Sequence, residues 1–153
     1  MIISKTPLRM SFVGGGSDMP DFYTDSPGAV VSTAIDKYIY ITVNKRFDKS
    51  IRVGYSQTET VDHIDDIQHP LVREVLRHTG LTEGLEITSI ADIPSKGTGL
   101  GSSSAFTAGL LKALHAYKDT SVSAGALSEE AAKIEIDILG EPIGKQDHYA
   151  AAF

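Results

Sequence analysis

The 153-residue sequence contains no cysteine, so neither a disulfide framework nor a thiolate metal site can form, which fits a reducing cytosol. It also lacks any apolar run near the ~20 residues that a membrane span needs. The opening MIISKTPLRM carries Lys5 and Arg9 and no continuous apolar segment, so it does not read as a signal peptide. Together these absences predict a cytoplasmic protein without a membrane partner. Positive charge is scarce: 14 Lys and Arg against 20 Asp and Glu leave a net charge of −6. That balance argues against nucleic acid as a bulk partner. An anionic ligand would have to be held by local groups instead. No internal repeat, low-complexity tract or linker interrupts the chain. Its 41% hydrophobic content and its length suit one soluble domain, 1–153, with a real core.

Strand signals dominate the first half. Residues 1–13 mix apolar and polar positions and end in a turn at Gly14, Gly15 and Gly16. Ala29–Ile35 reads as a short strand. Ile39, Ile41 and Val43 then alternate with Tyr38, Tyr40 and Thr42, the pattern of a strand with two different faces. Ile51–Tyr55 and Thr58–Val61 read as shorter strands, and VDHIDDIQHP as an acidic loop. Pro70 opens a helix that Gly80 closes, and Leu85–Ile90 is a further strand. Phe106, Leu110, Ala113, Leu114 and Tyr117 share a helical period. Ser128 is the expected N-cap of a last helix and Gly140 its C-cap. Strands mostly preceding helices predict an α+β fold.

The stretch DIPSKGTGLGSSSAF, Asp92 to Phe106, carries the chemistry. A strand, a glycine loop and a helix in succession place free N–H groups and the positive end of a helix dipole around an anion. At an exposed terminus the dipole contributes only about 0.3–1 kcal/mol, so the N–H and hydroxyl hydrogen bonds must supply most of the binding. Ser102, Ser103 and Ser104 offer one N-cap and up to two hydroxyls for phosphate or Mg2+. Two familiar loops do not fit. The sequence has no Gly-Lys-Ser/Thr, which a P-loop needs, and Ser102 stands where a dinucleotide fingerprint needs glycine. The alternative is a tight strand-to-helix turn with serine caps and no ligand.

DIPSKGTGLGSSSAF resembles the second motif of the GHMP small-molecule kinases. TPLRMSFVGGGSDMPDFY resembles their N-terminal motif, and IEIDILGEPIGKQDHYAAAF the segment around their catalytic aspartate. The last two resemble most the branch of heptose 7-phosphate kinases and fucokinase-like enzymes. The resemblance implies a ribosomal protein S5 domain 2-like fold with ATP and Mg2+ as cofactors. It also implies phosphoryl transfer to the anomeric hydroxyl of a heptose 7-phosphate. Asp147 matches the catalytic aspartate and Arg9 the basic residue near the transferring phosphoryl. Lys96, Gly97, Thr98, Gly99, Leu100, Gly101, Ser102, Ser103 and Ser104 match the ATP-phosphate loop. Gly15, Gly16, Ser17 and Asp18, with Lys145 and Gln146, match the sugar side, and Ser103 and Glu135 the metal ligands.

The residues themselves support these roles unequally. Glu135 falls on an apolar helical stripe with Ala131, Ala132, Ile138 and Leu139, where a carboxylate must be paired or metal-bound; a buried salt bridge is the alternative. Asp147 and Arg9 alone would be an ordinary turn residue and a strand-surface charge. Asp18 after three glycines would be an Asx-turn. The five histidines show no metal-ligand spacing, and His148 reads as wall. Two departures from the family pattern stand out: Lys96 and Gly97 lengthen the spacer, and no third glycine-rich motif of a C-terminal domain follows Asp147. The sequence is therefore expected to be an N-terminal part whose uncovered face self-associates. The competing functions are another branch of the same kinases, a nucleotide- or sugar-binding product without turnover, and a Rossmann-type oxidoreductase.

Overall fold

A computed structural model describes residues 1–94 and 98–153. The element order is β1 (Ile2–Val13), α1 (Pro20–Tyr23), β2 (Val31–Lys45), β3 (Ile51–Gly54), β4 (Thr58–Val61), α2 (Pro70–Thr79), β5 (Leu85–Ala91), α3 (Ser102–Tyr117), α4 (Ala124–Ala132) and α5 (Gln146–Ala152). Five strands form one sheet in the order β1-β2-β5-β3-β4, antiparallel except for the β3–β5 pair. This is the α+β arrangement that the order of strand and helix signals predicts.

One face of the sheet is the core. Leu8, Ile39, Ile41, Val43, Ile51, Val53, Leu85 and Ile87 point inward, all nearly fully buried, onto Leu110, Leu111 and Leu114 of α3. The alternation of Ile39, Ile41 and Val43 with Tyr38, Tyr40 and Thr42 is the two-faced pattern expected of this strand. Helix α3 is buried almost all round from Ser104 to Leu114 and comes close to β1 at Gly109. There the Ser4 hydroxyl donates to the Gly109 carbonyl at 2.8 Å. Across the helical layer, Glu130 of α4 meets His78 of α2 at 2.7 Å and His115 of α3 at 2.9 Å, tying three helices through one carboxylate.

Several local expectations change. The run expected over Ala29–Ile35 begins only at Val31 and is continuous with the strand after it as one strand, β2, rather than two. The charged pair Asp36-Lys37 reads as a break because the register jumps there. Pro7 faces Tyr38 while Leu8 faces Ile35, so two residues bulge without ending the ladder. Within the acidic loop, Ile64–Asp66 forms a 3-10 turn. Ser128 is not an N-cap. Ser123 caps α4, its hydroxyl accepting from the Ala126 N–H at 3.2 Å, and Ser128 lies inside the helix donating to the Ala124 carbonyl. The chain then continues as a π-helical stretch, Lys133–Ile138, which ends at Leu139 and the left-handed Gly140. Pro70 and Gly80 bound α2 as expected, with Gly80 in the left-handed region.

Candidate active site

Three parts of the chain that are distant in sequence meet at the start of α3. The N-cap of this helix is Gly101, at φ +71°, and none of the three serines caps it. The reason is steric as well as torsional. A Cβ at Gly101 would lie 3.3 Å from both Arg9 and Asp147 side-chain atoms, so glycine is what lets these groups close over the turn. The Ala105 N–H bonds the Gly101 carbonyl, and helix geometry leaves the N–H groups of Gly101, Ser102, Ser103 and Ser104 without intrahelical acceptors.

Arg9 and Asp147 form a bidentate pair. Arg9 Nε donates to Asp147 Oδ1 at 2.6 Å, and a terminal guanidinium nitrogen donates to Oδ2 at 2.7 Å. The other terminal nitrogen donates to the Gly99 carbonyl at 2.7 Å, and the Arg9 backbone N–H donates to the Leu100 carbonyl at 3.1 Å. The sequence alternatives for these two residues, a surface charge and a turn aspartate, do not hold: both are mostly buried against each other. A carboxylate oxygen has two lone-pair sites, so Asp147 can still accept a hydrogen bond from an incoming hydroxyl.

The first glycine motif docks on the same helix start as Asp147. One Asp18 oxygen accepts from the Gly16 N–H at 2.9 Å and the other from the Gln146 N–H at 3.1 Å, while the Asp18 carbonyl accepts from the Lys145 N–H. The Asx-turn reading of Asp18 does not hold: two residues on stands Pro20, which has no N–H, and the side chain instead reaches back to Gly16 and across to Gln146. Gly144 makes that approach feasible, since a Cβ there would sit 1.9 Å from an Asp18 oxygen. Ser17 holds the turn by donating to the Gly14 carbonyl and accepting from the Ala29 N–H. A Cβ on Gly15 would come 3.5 Å from the Gln146 side chain, whose carbonyl accepts from Ser11 at 2.8 Å.

Glu135 is fully buried, as expected, but the α-helical stripe does not hold: the stretch is π-helical, and Ile138, expected on the same face, is 47% exposed. Ser103 Oγ donates to one of its oxygens at 3.0 Å, which brings together the two residues expected to ligate a metal. The other oxygen lies 3.3 Å from Nε2 of His148, also fully buried, but their alignment is too poor for a hydrogen bond. A half-satisfied buried carboxylate beside a hydroxyl at a helix N-terminus is a donor set that suits a hard divalent cation.

Two clefts are lined by residues next in sequence to this site, Gln146 in one and Ser102 in the other. One, of about 470 Å³, is lined by Ser17, Asp18, Tyr23, Glu129, Lys145 and Tyr149. In it Lys145 pairs with Glu129 at 3.2 Å and stands 5.3 Å from the Tyr23 ring centre. The Tyr149 hydroxyl bonds Glu129, which holds that carboxyl below its usual range and raises the phenol. The other cleft, of about 580 Å³, runs from Ser102 and Ser103 to an apolar and aromatic end with Tyr55, His69, Ile93 and Phe106. The His69 ring stacks on Phe106 and meets Tyr55 edge-on. Sequence reasoning missed Glu129, Tyr149, Tyr23 and the Tyr55–His69–Phe106 group. They come from separate elements, and no spacing links them. Thr98 is described and lies half-buried; Lys96 and Gly97, expected on the phosphate loop, lie outside the described residues.

The profile of the GHMP kinase N-terminal domain matches residues 66–153, more than half of the chain. The chain belongs to the GHMP kinase family. Among curated GHMP relatives, it is 29% identical to a D-glycero-alpha-D-manno-heptose 7-phosphate kinase of Campylobacter jejuni, over 99% of this chain and 48% of that protein. It is 28% identical to a galactokinase of Pyrococcus furiosus, over 99% of this chain and 44% of that one. Among solved structures, a D-glycero-D-manno-heptose 1-phosphate kinase from Bacteriodes thetaiotaomicron superposes with a TM-score of 0.91 at 29% identity, covering 100% of this chain and 54% of that one. The chain therefore spans about half the length of the heptose kinases it matches. GHMP kinases of lower identity, such as a mevalonate kinase at 16% and a TM-score of 0.77, share the fold. Among the described residues, no helix is long and apolar enough to cross a membrane.

Proposed function

We propose that the intact protein is a cytoplasmic, ATP-dependent kinase that phosphorylates the anomeric hydroxyl of D-glycero-D-manno-heptose 7-phosphate, giving the 1,7-bisphosphate. The observation that carries this reading is the bidentate Arg9–Asp147 pair against Gly101, next in sequence to Gln146 of one cleft and Ser102 of the other. In the proposed reaction Asp147 accepts the proton of the acceptor hydroxyl. The acceptor oxygen bonds the γ-phosphorus as the bond to the bridging β–γ oxygen breaks and ADP departs. Arg9 fixes Asp147 and offers its guanidinium charge to the transferring group. The N–H groups from Gly101 to Ser104 hold phosphate oxygens, and the aromatic end of the second cleft takes the base. Ser103 and Glu135 would hold Mg2+, which supplies charge neutralisation for the phosphates. Such positioning and charge stabilisation account for most of the catalysis in phosphoryl transfer.

Asp18, Ser17 and Gln146, with the backbone of Gly15 and Gly16, form the sugar side. Arg9, Lys145 and Lys96 are the proposed contacts of the sugar's own phosphate. Residues 1–153 supply one half of the site in this reading, and a second domain would close the nucleotide cleft. A second reading, an unphosphorylated sugar as acceptor, is favoured by the charge of the first cleft. Among its described lining residues Asp18 and Glu129 are acidic, and the one cation, Lys145, is already paired.

The test is turnover by the intact protein across a panel of sugars and sugar phosphates. Heptose 7-phosphate is expected to be the best acceptor, and a free heptose, fucose or galactose turned over faster would select the second reading. Asp147→Asn is expected to abolish transfer and leave ATP binding in place; retained transfer would refute the role given to Asp147.

A further inference from the structure

His148 presents a problem that the proposed reaction does not use. Its side chain is fully buried, and neither ring nitrogen has a hydrogen-bond partner among the described residues. Burying a polar group without a partner costs roughly 1–3 kcal/mol by protein mutational data, so a plain apolar residue would serve better as wall. The ring is not randomly placed. Nε2 faces the one oxygen of Glu135 that Ser103 leaves free, at 3.3 Å. Glu135 is thus approached from two sides, by a hydroxyl of α3 and an imidazole of α5, with a buried apolar environment around it.

Two contacts from opposite sides can determine the orientation of a carboxylate. An oxygen held by one hydroxyl alone leaves the group free to rotate about its last bond, and rotation would carry the outward oxygen away from Ser103. An N–H of His148, once aligned with the inner oxygen, would remove that freedom. Hydrogen bonds in a catalytic site are often poorly aligned, as this contact is, and tighten when the site is filled. We propose that His148 is a positioning residue, which orients the inner oxygen of Glu135 so that the outer one is presented, beside Ser103, to a divalent cation. The inference rests on the reading of Ser103 and Glu135 as metal ligands. Groups that orient a ligand in this way change metal affinity by about 10–100-fold when removed.

The experiment compares two binding constants in the intact protein: that of the Mn2+ complex of the non-hydrolysable nucleotide AMPPNP, and that of AMPPNP in EDTA. His148→Leu is expected to weaken the Mn2+ complex by at least about tenfold and to leave metal-free AMPPNP unchanged. His148→Gln, whose amide reaches the position of Nε2, is expected to restore most of the loss. His148→Asn, whose amide stops short of it, is expected not to. Should the leucine variant fail to fold, the Gln and Asn variants make the same comparison with polar side chains alone. Equal affinities for the Gln and Asn variants, or the same loss for both ligand forms, would overturn the proposal and leave His148 a packing residue. Glu135→Gln separates the two layers of the argument. If it keeps the preference for the Mn2+ complex, the metal reading falls and this inference with it. If it loses that preference while all three His148 variants keep it, the positioning role alone falls.

Discussion

His69 illustrates how much a single side chain can depend on its neighbours. It sits between Tyr55 and Phe106 at the apolar end of the second cleft, and its Nδ1 is buried without a partner among the described residues. Burial pushes its imidazole below the ordinary 6.5, outweighing the opposing pull of the Glu59 carboxylate. The unfolded chain therefore takes up this proton at a higher pH than the folded one. The stabilisation from a neutral His69 is complete above about pH 6.5 and is lost as pH falls below it. Thermal melts between about pH 7.5 and about pH 5.5 should show a fall in stability that His69→Phe reduces. An unchanged pH dependence in the variant would show that the burial of His69 does not matter. Resemblance to a family, and no local spacing, made Asp147 and Arg9 legible in the sequence. His69, Glu129 and Tyr149 were not legible, because each gains its role from residues 10 or more positions away across the fold.

At the scale of elements, the docking of α3 on β1 is decided by a glycine. Gly109 lies in the buried middle of α3, where alanine would favour the helix by about 1 kcal/mol. A Cβ there would meet Thr6 Oγ1 at 2.6 Å and Ser4 Oγ at 3.4 Å. Crowding a packed contact of this kind costs about 1–3 kcal/mol, so the clash outweighs the propensity gain. Gly109→Ala is expected to lower stability in chemical denaturation, and a variant as stable as the parent would contradict this account of the helix–strand contact. The same logic explains the misread caps. Ser128 followed by two glutamates has the composition of an N-cap, but Ser123 is followed by residues that bury Leu127 and Ala131, and packing selects that start. Likewise the serines after Gly101 have the composition of caps, while the proximity of Arg9 and Asp147 makes the glycine itself the turn.

The whole molecule presents one covered and one open sheet face. Lys5, Tyr40 and Ile90 stand side by side across β1, β2 and β5 on the open face, and Ile90 is 64% exposed. Lys5 covers part of it, its Nζ 3.7 Å from the Tyr38 ring centre. Met10, Phe12, Val13, Phe22 and Val31 form a second group of exposed apolar residues around the far end of β1 and β2. Apolar surface of this extent favours association. Residues 1–153 by themselves are expected to associate with rising concentration, and Ile90→Lys to reduce it. A monodisperse monomer in light scattering across the concentration range would contradict this expectation.

By itself the sequence determined the α+β class, the inward row of β2, the helix between Pro70 and Gly80, and the necessity that Glu135 be partnered. These follow from periodicity and from the cost of burying charge, which are properties of a short stretch of chain. Only the tertiary structure decided that Arg9 closes on Asp147 over Gly101, that Asp18 anchors the helix carrying Asp147, and that Glu135 lies between Ser103 and His148. Each of those contacts joins residues that the sheet and helix layers bring together from afar. Pairwise geometry between distant segments is set by packing, and no local pattern encodes it.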